Sequence, residues 1–339
     1  MLIDLRSDTV TRPTYEMREV MYSTAVGDDV FGEDPAINTL ENLASTMFGM
    51  ESAVFCPSGT MTNQIAIKCH TQPGDEVICD ELSHVYQYEG GGIAFNSGAS
   101  VKLLQGDRGR IKAEMVASSI QPDDVHRPVS RLVVLENTAN RGGGSCYEWN
   151  DILEIEKVCR AKGLSLHLDG ARLFNALIAK GQTPEQYGKT FDSISICLSK
   201  GLGAPVGSLL LGKKDFIKKA RRFRKVFGGG MRQAGSLAAA GTYALQHHVS
   251  RLKTDHEHAK QIESALKSKS FIKDIMPVET NILIAECADG FNLTDFIEKM
   301  KAAGILFFAI SPSKFRMVTH LDIDQNMMDK LVDTIKKTD

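Results

Sequence analysis

Residues 164–201 read LSLHLDGARLFNALIAKGQTPEQYGKTFDSISICLSKG. Leu164, Leu166 and Leu168 alternate strictly with Ser165, His167 and Asp169. That two-residue period belongs to a strand with side chains pointing to opposite faces. Asp192–Ser199 alternates in the same way, with Ile194, Ile196 and Leu198 on one side. One helix-like segment, Ala171–Lys180, separates the two. Strand, helix and strand in this order predict neighbouring strands of a mainly parallel α/β sheet with helices on its faces.

The pattern extends outward from there. Upstream, Ser52–Cys56, Glu76–Asp80, Val101–Gln105 and Arg131–Asn137 read as strands, and 59–70 as a helix. Asp151–Lys162 carries Ile152, Ile155 and Cys159 at helical spacing, with Gly163 placed to end the helix. Downstream, Val206–Leu211 is a further apolar strand. After about Ala244 the texture changes to a charged helix over Thr254–Lys269 and then a βαββα run. Its parts are Asn281–Ala285, Thr294–Ala303, Ile305–Ile310, Arg316–His320 and Gln325–Lys336. The expectation is a large domain over residues 1–248 and a small α+β domain over 249–339. A chain of 339 residues exceeds the roughly 250–300 at which single cores stop growing.

Charge and composition exclude several classes. The formal net charge is −2, so no basic field is present to hold nucleic acid. No stretch reaches the roughly 18 apolar residues that span a bilayer, and Asp4, Arg6 and Asp8 occupy the place of a signal peptide's apolar core. The seven cysteines are odd in number and lack CxxC spacing, which points to a reducing, cytoplasmic setting without disulfides or a structural metal. Gly207–Lys213 matches the start of a phosphate loop, but Lys214 stands where Ser or Thr belongs, and Ser208–Leu211 reads as strand. His256 and His258 are two apart on a helix and face different directions, unlike a metal pair.

Ligands of open α/β sheets sit beyond the carboxyl ends of the strands. Asp169 and Lys200 both fall at such ends, thirty-one residues apart. Each alone has an ordinary reading: Asp169 as a cap on the next helix, Lys200 as a surface lysine. Together they suggest a lysine able to form a Schiff base and a carboxylate able to hold a pyridine nitrogen protonated. An opposite charge within ~4–6 Å shifts a pKa by about 1–3 units. Small residues, Gly201 to Pro205, follow Lys200 and let a flat ring approach. Ser58-Gly59-Thr60, between a strand and a helix, offers free backbone N–H groups to a phosphate.

With these residues in place the sequence resembles the low-specificity L-threonine aldolases, of the β-eliminating lyase type. The matching stretches are DLRSDTVTRP, GDDVFGEDP, PSGTMTNQ, LSLHLDGARLFNA, ICLSKGLGAPVGSLL, FGGGMRQAG and FRMVTHLD, which run in order to about residue 322. The resemblance implies an aspartate-aminotransferase-like fold and pyridoxal 5'-phosphate as cofactor. It implies cleavage of L-threonine or L-allo-threonine to glycine and acetaldehyde, hence roles in threonine catabolism and glycine biosynthesis. A related phenylserine-type aldolase, a β-eliminating lyase and a cofactor-binding protein without catalysis are the alternatives.

By the same resemblance, Lys200 is the Schiff-base lysine and Asp169 the partner of the pyridine nitrogen. Arg172 lies near the cofactor's phenolic oxygen and the substrate carboxylate. Gly59 and Thr60 cradle the phosphate. Arg232 reaches a neighbouring subunit's phosphate, within a homotetramer whose sites lie at subunit contacts. Ser7 and Arg316 grip the substrate carboxylate, a task suited to the planar guanidinium fork. His84 stacks on the ring, and His126 lies near the substrate's β-hydroxyl. Both imidazoles are candidates for the base. Two positions depart from the family: Ala139 where ENTHN has histidine, and Phe31 where GDDVYG has tyrosine.

Overall fold

The computed structural model describes residues 1–338. Among the described residues the main sheet has seven strands. Their spatial order is Ser52–Cys56, Ser208–Gly212, Ser193–Cys197, Ser165–Gly170, Val129–Glu136, Asp75–Asp80 and Ser100–Leu104. All neighbours run parallel except Ser208–Gly212, which is antiparallel to both strands beside it. Asp169 pairs in register with Glu136 on one side and Ser195 on the other. The carboxyl ends of these strands therefore form one edge.

Both faces of the sheet are covered. Ile78, Leu135, Leu166, Leu168, Ile194 and Ile196 join the main core on one face, packed with Tyr147, Ile152 and Ile155. On the other face lies the helix Gly59–His70, with Ile65, Ala66 and Ile67 fully buried. The polar side of the alternating strands points there. Ser165 is half-buried, while His167, Asp169, Ser193 and Ser195 are buried. Buried polar groups require hydrogen-bond partners, and the helix supplies them: Thr62 Oγ1 lies 2.6 Å from Ser195 Oγ.

A second core gathers Ala259, Ile262, Phe296, Ile305, Phe315, Met317 and Leu331. Its four-stranded antiparallel sheet runs Phe308–Ala309, Lys314–Val318, Ile282–Cys287, Ile272–Ile275. The segment expected as one strand, 305–310, divides at Phe307. Ile305–Leu306 pairs in parallel with Ile3–Asp4, and Phe308–Ala309 pairs with Lys314–Val318. Ile3 and Leu5 thus pack into the second core, not with the rest of residues 1–248. The N-terminal segment then crosses to the carboxyl-end edge of the large sheet, where Thr11 Oγ1 donates to the Lys200 carbonyl at 3.0 Å.

Candidate active site

The Gly59–His70 helix begins at the end of the strand Ser52–Cys56. Ser58 caps it, its Oγ accepting from Met61 N at 3.2 Å. The amides of Gly59 and Thr60 belong to the first turn, which has no intrahelical partners for its N–H groups. A Cβ on Gly59 would come within 2.5 Å of Cys197 Sγ, so only glycine lets this turn sit against the sheet.

Asp169 is buried at its strand end. Its Oδ1 accepts from Ala171 N at 3.1 Å, and its Oδ2 from Asn63 Nδ2 at 2.9 Å. Asn63 also donates to Glu89 Oε1 at 2.9 Å, and Gln64 to Glu89 Oε2 at 2.6 Å. His84 Nδ1 stands 3.0 Å from Glu89 Oε1. Ligand-type atoms of His84, Glu89 and Asp169 lie within 4.8 Å of one another, joined by these hydrogen bonds. Burial opposes charge on His84. The Glu89 hydrogen bond and the charges of Asp169, Glu89 and Glu136 outweigh it and hold the imidazole above its ordinary value.

Glu136, in register with Asp169, is buried. Its carboxyl accepts from the backbone N–H groups of His84 at 2.8 Å and Asn140 at 2.9 Å. Burial, then repulsion from Asp169, pushes it up to about 7. It fixes the backbone of the turn bearing His84, and Asn140 Oδ1 in turn accepts from Arg316 Nη1 at 2.8 Å. Arg316 also donates to the Arg6 carbonyl at 3.1 Å. Among the described residues its buried Nε has no partner. Burial and the charge of Arg172 lower its pKa, the mark of a cation short of counter-charge.

Arg172 is buried and meets Asp8 through two hydrogen bonds, Nε to Oδ2 at 2.8 Å and Nη2 to Oδ1 at 2.6 Å. Burial works against ionisation of Asp8, yet the Arg172 charge holds its carboxyl down at about 2, helped by Lys200. Lys200, Asp8, Arg172 and Arg316 therefore converge at the sheet edge that holds Asp169 and His84. Ser7 is at the same place. Its hydroxyl caps the turn Asp8–Val10, accepting from Thr9 N at 3.2 Å.

Two expected residues do not join within one chain. His126 precedes the strand Val129–Glu136, at the amino end of the sheet, whereas Asp169 is at the carboxyl end. Its side chain is 84% exposed and, among the described residues, bonds only to Asp124, at 2.8 Å. Arg232 is exposed, pairs with Asp28 at 3.0 Å, and lies over the Phe31 ring at 5.9 Å. Phe31, lacking the family's tyrosine hydroxyl, keeps a cation–π contact with it. Ala139 is buried, its Cβ 2.8 Å from where a side chain on Gly109 would begin.

Sequence reasoning gave no role to Asp8, Asn63, Glu89 or Glu136. Glu136 carried the same signal as Asp169, a carboxylate at a strand's carboxyl end. The other three reach the site from the N-terminal segment, a helix and a loop, and no local pattern marks them.

A profile of the beta-eliminating lyase family matches residues 4–289. A low specificity L-threonine aldolase of Escherichia coli (strain K12) is 42% identical over 328 residues, covering 96% of each chain. The solved threonine aldolase of Leishmania major superposes with a TM-score of 0.87 at 21% identity over 99% of both chains. A structure of SPT with PLP superposes with a TM-score of 0.77 at 16% identity over 99% of this chain and 86% of that one. These two structural likenesses establish the PLP-enzyme type of fold.

Proposed function

The chain belongs to the beta-eliminating lyase family, among low-specificity L-threonine aldolases, and from that premise we propose that it cleaves L-threonine and L-allo-threonine to glycine and acetaldehyde. The observation that carries the reading is one sheet edge holding a buried carboxylate (Asp169) and a lysine (Lys200), joined by a guanidinium with an unpartnered buried nitrogen from the second sheet (Arg316).

These residues fit pyridoxal 5'-phosphate. Each Asp169 oxygen accepts one hydrogen bond from the protein and retains a lone pair for a ring N–H. The cofactor, when bound, supplies a cationic ring that withdraws electron density from the substrate's Cα. Lys200 would hold it covalently through its amine, and the first-turn amides of Gly59 and Thr60 would take its phosphate. Asp169 would keep the ring nitrogen protonated. Arg316, with Ser7 beside it, would bind the substrate carboxylate by the nitrogen now without a partner. That grip would fix the substrate's orientation about Cα.

His84 would lie over the ring. Glu89 engages its Nδ1, which leaves Nε2 to exchange a proton with the β-hydroxyl. His126 and Arg232 would serve the same site from neighbouring copies in a homotetramer, a reading supported by their exposed side chains. All seven cysteines are free and buried, in keeping with a cytoplasmic, reducing setting.

Borohydride reduction followed by peptide mass mapping is expected to leave a pyridoxyl group on Lys200. Lys200→Ala should abolish turnover while the protein still folds. Normal turnover by that variant would overturn the assignment. Products separate the chemistry: glycine with an aldehyde marks aldol cleavage, whereas ammonia with a keto acid would mark β-elimination.

A further inference from the structure

A line of side chains runs behind Asp169, from the half-buried His70 to the buried Asn63. His70 Nε2 lies 2.8 Å from Ser193 Oγ, which lies 2.8 Å from His167 Nδ1. His167 Nε2 lies 3.2 Å from Asn63 Oδ1, and Asn63 Nδ2 donates to Asp169 and Glu89. His167 and Ser193 are fully buried, and Asn63 nearly so.

The direction of every proton in this line follows from its ends. Carboxylates accept, so both Asn63 N–H groups must face Asp169 and Glu89, and Oδ1 faces His167. An amide oxygen accepts too, so His167 must carry its proton on Nε2. Burial keeps that imidazole neutral, at about 4, which leaves Nδ1 bare. Ser193 must then donate to Nδ1 and accept from His70 Nε2–H. The Ser193 carbonyl, 3.1 Å from His167 Nδ1, favours the opposite tautomer. That tautomer would set a lone pair of Nε2 against Asn63 Oδ1. Flipping Asn63 to relieve this would turn its oxygen onto two carboxylates. One carbonyl contact does not outweigh either arrangement.

We infer that His167 is a positioning residue for this enzyme: held as the Nε2–H tautomer by Ser193 and His70, it locks the Asn63 amide so that Asp169 keeps its donor and stays aimed at the cofactor's ring nitrogen. This rests on the reading of Asp169 as the partner of that nitrogen. Asn63 is the only link between His167 and the carboxylates in this line, so the effect passes through the orientation of one amide. Leucine at 167 would leave Asn63 Oδ1 without its donor and the Ser193 O–H without its acceptor, while His70 still reaches the Ser193 oxygen. Glutamine carries a donor and an acceptor and can satisfy both.

The test has two parts. In wild-type protein with 15N-labelled histidine, NMR should show a buried imidazole with protonated Nε2 and bare Nδ1, assigned by its loss in His167→Gln. An Nδ1–H tautomer or an imidazolium overturns the proposal, whatever the variants do. In holoenzyme carrying ring-15N pyridoxal phosphate, His167→Leu should shift the ring nitrogen signal toward the unprotonated form. Cofactor affinity should fall by about tenfold, the scale on which losing an outer partner acts at other ligand sites. His167→Gln should restore both. Unchanged signal and affinity in folded His167→Leu overturns the proposal. If Asp169→Asn alone moves the ring signal, the reading of Asp169 stands without its support. If neither variant moves it, that reading falls as well.

Discussion

Asp8 and Arg172 are 164 residues apart in the chain, and neither belongs in its surroundings alone. Both are buried, and their two hydrogen bonds are the geometry in which a guanidinium fork matches a carboxylate. Such a pair adds little over an apolar replacement, but removing one partner strands a buried charge at about 3–5 kcal/mol. Asp8→Ala should therefore lose stability on that scale in urea unfolding, and Asp8→Ala/Arg172→Ala should lose less than the first substitution alone. Equal losses would show that Arg172 finds water or another acceptor. The same residue shows how much of the site could be read from the chain. Asp169 and Lys200 announce themselves because a strand pattern ends at each. Asp8 sits in a conspicuous stretch, yet its role depends on a partner that only the folded chain brings near.

The helix Gly59–His70 serves the site through its N-terminal half: its first turn offers amides, and its buried face holds Thr62 and Asn63 against the sheet. Its close seat depends on Gly59. Gly59→Ala would raise helix propensity, but the added carbon meets Cys197 Sγ, and crowding of this kind costs about 1–3 kcal/mol. Cys197→Ala removes the obstructing sulfur. A double-mutant cycle on thermal unfolding should show favourable coupling between the two, and additive losses would place the strain elsewhere. Elements with a clear period were legible to within a few residues, as with Ser52–Cys56 and Gln325–Lys337. Gly235–His247 escaped notice because its alanine-rich sequence has little contrast between faces, and Lys214–Val226 because its charges mask the buried Ile217 and Ala220. The division of 305–310 was invisible for another reason. Both halves are extended, and only the choice of partner strand separates them.

At the scale of the molecule, two cores meet near the site, and the helix Leu252–Lys267 carries adjacent residues whose titrations oppose each other. Burial pushes Asp255 up to about 6, despite its ion pair with Arg251. Burial also pushes His256 down to about 4, its Nε2 lying 3.0 Å from Asn175 Oδ1. In the unfolded chain Asp255 ionises near 3.8, while the folded chain holds its proton until about 6. Its contribution is present at low pH and is lost as pH rises through that window. His256 acts in the other sense. The unfolded chain takes up a proton below about 6.5 that the folded chain refuses until about 4, so stability falls as pH drops. Each group left alone would tilt stability by on the order of 2–3 kcal/mol across its window, and together they nearly cancel. Asp255→Asn should therefore make stability rise more steeply from pH 4.5 to 6, and His256→Gln should make it rise less or fall. Urea unfolding at pH 4.5, 5.25 and 6 measures both slopes. Parallel curves for wild type and the two variants would mean that these groups titrate alike in the folded and unfolded chains. Opposite changes in slope would show that burial of these two neighbours acts on stability in opposed senses.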